Sequence, residues 1–146
     1  MKFEIIEEHK SDNLTPITVE KGSIVNLGER SNSDGSWPNW IYCYNLDGNG
    51  EGWTPVQIIQ IESEYGIVLE DYSAIELYVK KGETVEGNIE LNGWVWCSKL
   101  NGIEEGWLPK EKMINLDMVK QIGIKRVIAQ IRKYSRKYID NEILDY

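Results

Sequence analysis

Residues 39–58 read NWIYCYNLDGNGEGWTPVQI, and residues 92–111 read NGWVWCSKLNGIEEGWLPKE. Between Trp40 and Pro55 the two agree at Trp, Cys, Leu, Gly, Glu, Gly, Trp and Pro, all at a constant offset of 54. A second block recurs at an offset of 60: ITVEKGSIV at 17–25 and LYVKKGETV at 77–85 share Val, Lys, Gly and Val. The first copy therefore carries six extra residues between its blocks. They fall within 28–39, where ERSNSDGSWPN has the Ser, Asp, Gly and Pro of a loop. A length change confined to a loop is what a shared scaffold tolerates.

Both copies alternate with period two. Trp94 and Trp96 face one way while Val95 and Cys97 face the other, as successive strand residues must. Trp40 with Tyr42, and Ile41 with Cys43, repeat the pattern. DGNG at 47–50 and NG at 101–102 are hairpin-turn signals between such runs. Each copy thus supplies about five short strands, too few residues for a flat sheet to bury a face, and a sheet bent into a small barrel is the natural solution. The expected core is Val19, Val25, Ile41, Cys43, Val79, Val85, Val95 and Cys97. Trp40 and Trp94 are the rings expected to point outward, and Trp53 and Trp107 to be half core. Six Trp and eight Tyr against one Phe suit surfaces that are half buried and half available to a partner.

Here the residues resemble a known family. VLEDYSA at 68–74, then Lys-Lys-Gly, NGWVW and EGWLP, read in order like an SH3 domain. In the first copy IIEEH at 5–9 takes the place of the Tyr-containing strand, followed by Trp40, Trp53 and Pro55. The whole is similar to the tandem variant SH3 proteins of bacteria. The resemblance implies a mainly β protein: two SH3-like five-stranded barrels at 1–63 and 64–115, then a C-terminal amphipathic helical tail at 116–146. It also implies a ligand surface. In the second barrel this would be Tyr72, Glu76, Trp94, Trp107 and Pro109, with Glu76 placed to select a basic ligand side chain. In the first it would be His9, Trp40, Trp53 and Pro55. Such surfaces hold extended peptides, proline-rich ones among them. Glu70 and Lys112 stand where the family places two further rings, which favours another extended peptide over PxxP.

Chemistry is harder to find. Cys43 and Cys97 occupy equivalent places and read as free, buried thiols. His9 is the only histidine, and there is no phosphate-binding Gly loop, metal-spaced cluster or nucleophile elbow. NLDGNGEG superficially resembles a calcium loop, but the position for its bidentate acid is Val56. The expectation is a non-enzymatic, adaptor-like binding protein with no cofactor and no metal. The alternatives are a cell-wall or other carbohydrate-binding module, and a self-associating structural protein. MKFEIIEEHK has no apolar core of a signal peptide, so export is not expected and a cytoplasmic location is.

Charge separates body from tail. The formal total is −8, and residues 115–146 hold seven Lys and Arg against four Asp and Glu. That leaves −11 for residues 1–114, which disfavours nucleic acid and anionic lipid as partners. In the tail, Asn115 with Asp117 offers a helix start, but Gly123 weakens any helix running through it. From Ile124 onward Ile124, Val127, Ile128, Ile131 and Tyr138 fall on one helical face, with Lys125, Arg132, Lys133 and Arg136 on the other. The favoured expectation is that this stripe covers the barrels. Homodimer pairing through residues 124–143 comes next, and membrane binding is disfavoured because the stripe lacks Trp, Phe and Leu.

Overall fold

The computed structural model describes residues 1–35 and 37–144, with side chains apart from those of Val119, Val127 and residues 134–144. The chain is mainly β, with several antiparallel sheets and one C-terminal helix. The strands are β1 (Lys2–Ile5), β2 (Thr18–Val19), β3 (Ile24–Arg30), β4 (Trp40–Asn45), β5 (Glu51–Pro55) and β6 (Ile59–Ile61). They continue with β7 (Tyr65–Val68), β8 (Tyr72–Ser73), β9 (Thr84–Leu91), β10 (Trp94–Lys99), β11 (Glu105–Pro109) and β12 (Met113–Asn115). Short 3₁₀ turns at Val56–Ile58 and Lys110–Lys112 follow the two Gly-Trp-x-Pro segments. The first sheet has the order β5-β4-β3-β7-β6 and the second β11-β10-β9-β1-β12, while β2 pairs with β8.

All eight residues expected in the core are buried, and they divide between two clusters. One gathers Ile17, Val19, Val25, Ile41, Cys43, Ile59, Val68 and Ala74. The other gathers Phe3, Ile5, Leu77, Val79, Val85, Val95, Cys97, Leu108 and Met113. The six-residue excess is where a loop was expected, between β3 and β4.

The contiguous division at 63/64 does not describe the strand pairing. The N-terminal β1 pairs with β9 and β12 of the second sheet. Strand β7, expected to open the second unit, pairs with β3 and β6 of the first. The two segments fill equivalent slots. The Gly22 N–H donates to the Val68 carbonyl at 2.7 Å, and the Gly82 N–H to the Ile5 carbonyl at 2.8 Å. Tyr72 lies opposite Val19 and His9 opposite Val79. The N-terminal segment and residues 65–74 have exchanged units.

Side-chain volume explains why. In the second sheet Phe3 packs over Gly87, where an added Cβ would stand 2.5 Å from the phenyl ring. In the first, the equivalents are reversed in size: Gly66 lies beside Leu27, whose Cδ2 would be 3.1 Å from an added Cβ. Returning each strand to the contiguous unit would set Phe3 against Leu27 and Gly66 against Gly87. One core would be overfilled, at about 1–3 kcal/mol, and the other left with a void, at about 3–5 kcal/mol.

The units are also pinned together by polar contacts. Asn92, in a left-handed turn conformation at φ 51°, donates from Nδ2 to the Asn39 carbonyl at 2.9 Å. Its side-chain amide pairs with that of Gln57, Gln57 Nε2 donating to Asn92 Oδ1 at 2.7 Å. The Trp40 indole N–H reaches the Asn92 carbonyl at 3.2 Å, and that of Trp107 reaches the Ser73 carbonyl at 2.8 Å.

Helix α1 (Leu116–Leu144) opens where Asn115 and Asp117 offered a start, and it differs from expectation in running unbroken through Gly123 and in leaving its stripe exposed. It begins eight residues before Ile124, because the Asn115 side chain accepts the backbone N–H groups of Asp117 and Met118 at 2.9 and 3.3 Å. It runs through Gly123, since one glycine costs a helix only about 1 kcal/mol against alanine. The described residues of its stripe, Ile124, Ile128 and Ile131, are exposed rather than laid on the sheets, and Ile122 is exposed beside them. The helix packs against β1 and β12. The side chains of Val127, Arg136 and Tyr138 lie outside the described residues.

Candidate functional site: a shared aromatic cleft

One open cleft of about 1000 Å³ is lined by both units and by the segment 9–15 that crosses between them. From the first sheet, β4 contributes Trp40 and Tyr42, and β5 contributes Trp53. From the second, β10 contributes Trp94 and β11 contributes Trp107. His9, Tyr72 and Glu76 stand where the crossing segments enter and leave. Seven of the nine residues expected at two separate surfaces therefore meet at one.

The other two do not line it. Pro55 and Pro109 are fully buried, each paired in register with the Trp that opens the preceding strand, Trp40 and Trp94. They act as backing for the indoles. Trp40 also departs from expectation, being only 5% exposed against 43% for Trp53. It does lie on the outward side of β4, but the second unit covers that side. Trp107 is likewise buried at 8% and walls the cleft with one edge.

Exchange of the strands regroups the aromatic sets. His9 packs edge-on against Trp94, ring centres 5.7 Å apart at 78°. Trp94 also meets Trp37 at 5.4 Å and Trp40 at 6.5 Å. Tyr72 instead belongs with the first unit, its hydroxyl donating to the Trp53 carbonyl at 2.8 Å, while its ring faces across to Trp107 of the second at 6.2 Å. Burial, then the nearby carboxylate of Glu76, holds the Tyr72 hydroxyl above the ordinary phenol range.

Glu76 is not free to select a ligand cation. Its Oε1 is 2.7 Å from His9 Nε2, and its Oε2 accepts the Ser11 hydroxyl at 2.7 Å. Lys112 Nζ lies 3.2 Å from His9 Nδ1 and donates to the Glu8 carbonyl. An ammonium can only donate, so Nδ1 is the acceptor and Nε2 carries the proton given to Glu76. Lys112, standing where a ring was expected, thus fixes the histidine that supports Trp94. The charged groups left facing the cleft are Lys10, Arg30, Asp12 and Glu51, with both signs represented.

Trp37 and Tyr42 were missed by sequence reasoning. Trp37 sits in the six-residue excess, in SWPN, which read only as a loop; an indole there was itself the signal. Tyr42 was noted only as the alternation partner of Trp40, and it packs edge-on to Trp53 at 5.2 Å.

Neither thiol takes part. Cys43 and Cys97 are buried and unpaired. Burial pushes the Cys97 thiol up to about 12 and raises that of Cys43 as well. Among the described residues, no three His, Cys, Asp or Glu side chains gather as a metal-binding group, and no helix is long and apolar enough to cross a membrane. Asp47, in the segment resembling a calcium loop, accepts the backbone N–H of Asn49 at 2.9 Å within its turn. Comparison with protein-family models, with characterised proteins and with solved structures found no match to this chain.

Proposed function

We propose that the protein is a non-enzymatic binding module in which two SH3-like barrels, with strands exchanged, share one cleft that takes an extended peptide. The observation that carries this reading is the convergence of five of the six tryptophans, 37, 40, 53, 94 and 107, on that cleft. Large amphipathic rings held rigidly give contact area at little entropic cost, which is the usual chemistry of a binding hot spot. Trp37 and Trp53, at 39% and 43% exposed, are the rings with most surface left to bury.

The way the rings meet favours an extended chain over PxxP. A proline slot needs two facing rings with a gap between them. Here Tyr42 and Trp53 meet edge-on at 82°, and Trp94 is crowded by His9, Trp37 and Trp40. A glycan is the second reading, favoured by the flat, exposed Trp37 and Trp53 indoles in an open lining. A panel of extended peptides, proline-rich peptides and oligosaccharides, titrated against intrinsic tryptophan fluorescence, separates the three. Trp53→Ala and Trp37→Ala should each weaken the best ligand about thirtyfold, the 2 kcal/mol of a central ring, while lowering stability by less than about 1 kcal/mol. Unchanged affinity in both variants would place the ligand outside this cleft.

A further inference from the structure

The proposed module leaves two surfaces without a use, and they suit each other. The first is α1, at 1.5 Å per residue about 43 Å long, with Ile122, Ile124, Ile128 and Ile131 in solvent. Between residues 118 and 139 it has seven Lys and Arg and no acid. The second is the outer face of the first sheet. Val25 and Val68 point into the core, so alternation sends Ile24 and Ile67 to the other side, where they lie directly opposite each other. Tyr65 pairs with Asn26 on the same side, and Tyr44 flanks Asn26 from β4. Ile24, Tyr65 and Tyr44 are all at least 40% exposed, and Glu62 and Glu64 rim them at the β6–β7 turn.

Nothing in the fold requires apolar residues there. At the same positions of the second sheet stand Thr84, Glu4 and Lys2, which are polar. The acidity is concentrated with the patch: residues 16–74 hold nine Asp and Glu against Lys21 and Arg30. We propose that α1 of one copy lies across this outer face of a second copy, reciprocally, in a closed two-fold dimer. Charge selects this arrangement. Two such helices side by side would bring like charges together, whereas the basic helix and the acidic face attract. The helix leaves its own chain from β12, at the edge of the second sheet, and its main contacts among the described residues are with β1 and β12. The face adjoins the aromatic cleft where Tyr44 meets Tyr42 at 5.2 Å, but Ile24, Ile67, Tyr65 and Tyr44 do not line the cleft, so this inference does not rest on the proposed ligand.

The test is sedimentation equilibrium of the full chain over a range of concentrations, at low and high salt. The wild type should dimerise, less so at high salt. Ile24→Asp on the face and Ile128→Asp on the helix should each weaken the dimer about tenfold or more with an unchanged far-ultraviolet spectrum. An equimolar mixture of the two should regain dimer, because one intact helix-to-face contact can form between them. If Ile24→Asp unfolds, Glu64→Lys takes its place. A wild type that stays monomeric throughout overturns the proposal, whether or not the monomer binds anionic vesicles. So does a dimer lost with Ile128→Asp but kept with the face variants, which would mean that the helices pair with each other.

Discussion

Trp40 and Trp53 illustrate how much a residue's role depends on what covers it. Both alternate with core residues, so both point away from their own sheet. Trp40 is nevertheless buried by the second unit and hydrogen-bonded to Asn92, whereas Trp53 keeps nearly half its surface in water. Trp40→Ala should therefore lower stability by about 3–5 kcal/mol, as other buried tryptophans do, and Trp53→Ala by less than about 1 kcal/mol. Urea midpoints of the two variants check this directly. The thiols give a pH test at the same scale. Unfolded Cys97 ionises near 9 and the folded thiol only near 12. Its contribution is complete below pH 9 and is lost as the pH rises from there toward 12. Native protein should resist alkylation at pH 8, and the alkaline loss of stability should be shallower in Cys97→Ala. Rapid labelling of native Cys97 contradicts the burial.

Among the elements, most strands were legible in the sequence because the repeat marks them twice. The period-two pattern also identified the core, position by position. Which unit β1 and β7 join was not legible. Ile5 and Val68, or His9 and Tyr72, satisfy the same slot, so periodicity cannot choose between them. The choice lies in the Phe3–Gly87 and Gly66–Leu27 size pairs, where the two copies differ and the repeat therefore gives no warning. The helix was misjudged for a related reason: an apolar stripe shows that a face seeks cover, not that its own chain supplies it. Fragments test the exchange. Residues 16–74 contain every strand of the first sheet and its whole core, so this piece should fold alone. Residues 75–146 lack β1 and should stay unfolded until a peptide of residues 1–15 is added. Independent, cooperative folding of 1–63 and 64–146 would restore the contiguous pairing and remove the exchange.

At the scale of the whole molecule, the exchange makes two aromatic faces into one cleft. Two contiguous units would be joined by a single linker and could turn independently. Here two segments cross between them, and Asn92, Trp40 and Trp107 fasten the crossing. The candidate residues were readable because rings at strand positions are conspicuous; their union was not, because it depends on the pairing of β1 and β7. The most direct test is the indole N–H region of a ¹⁵N spectrum during titration with the best ligand of the peptide and oligosaccharide panel. Six indoles give six signals, and Trp96, bonded to Glu105 and outside the lining though its ring meets Trp107 at 5.3 Å, is the internal reference. Signals of Trp37 and Trp53 from the first unit and Trp94 from the second should shift together, at one midpoint, while that of Trp96 moves least. If instead the two units' signals move at separate midpoints, or Trp96 moves while the others do not, there is no single shared site.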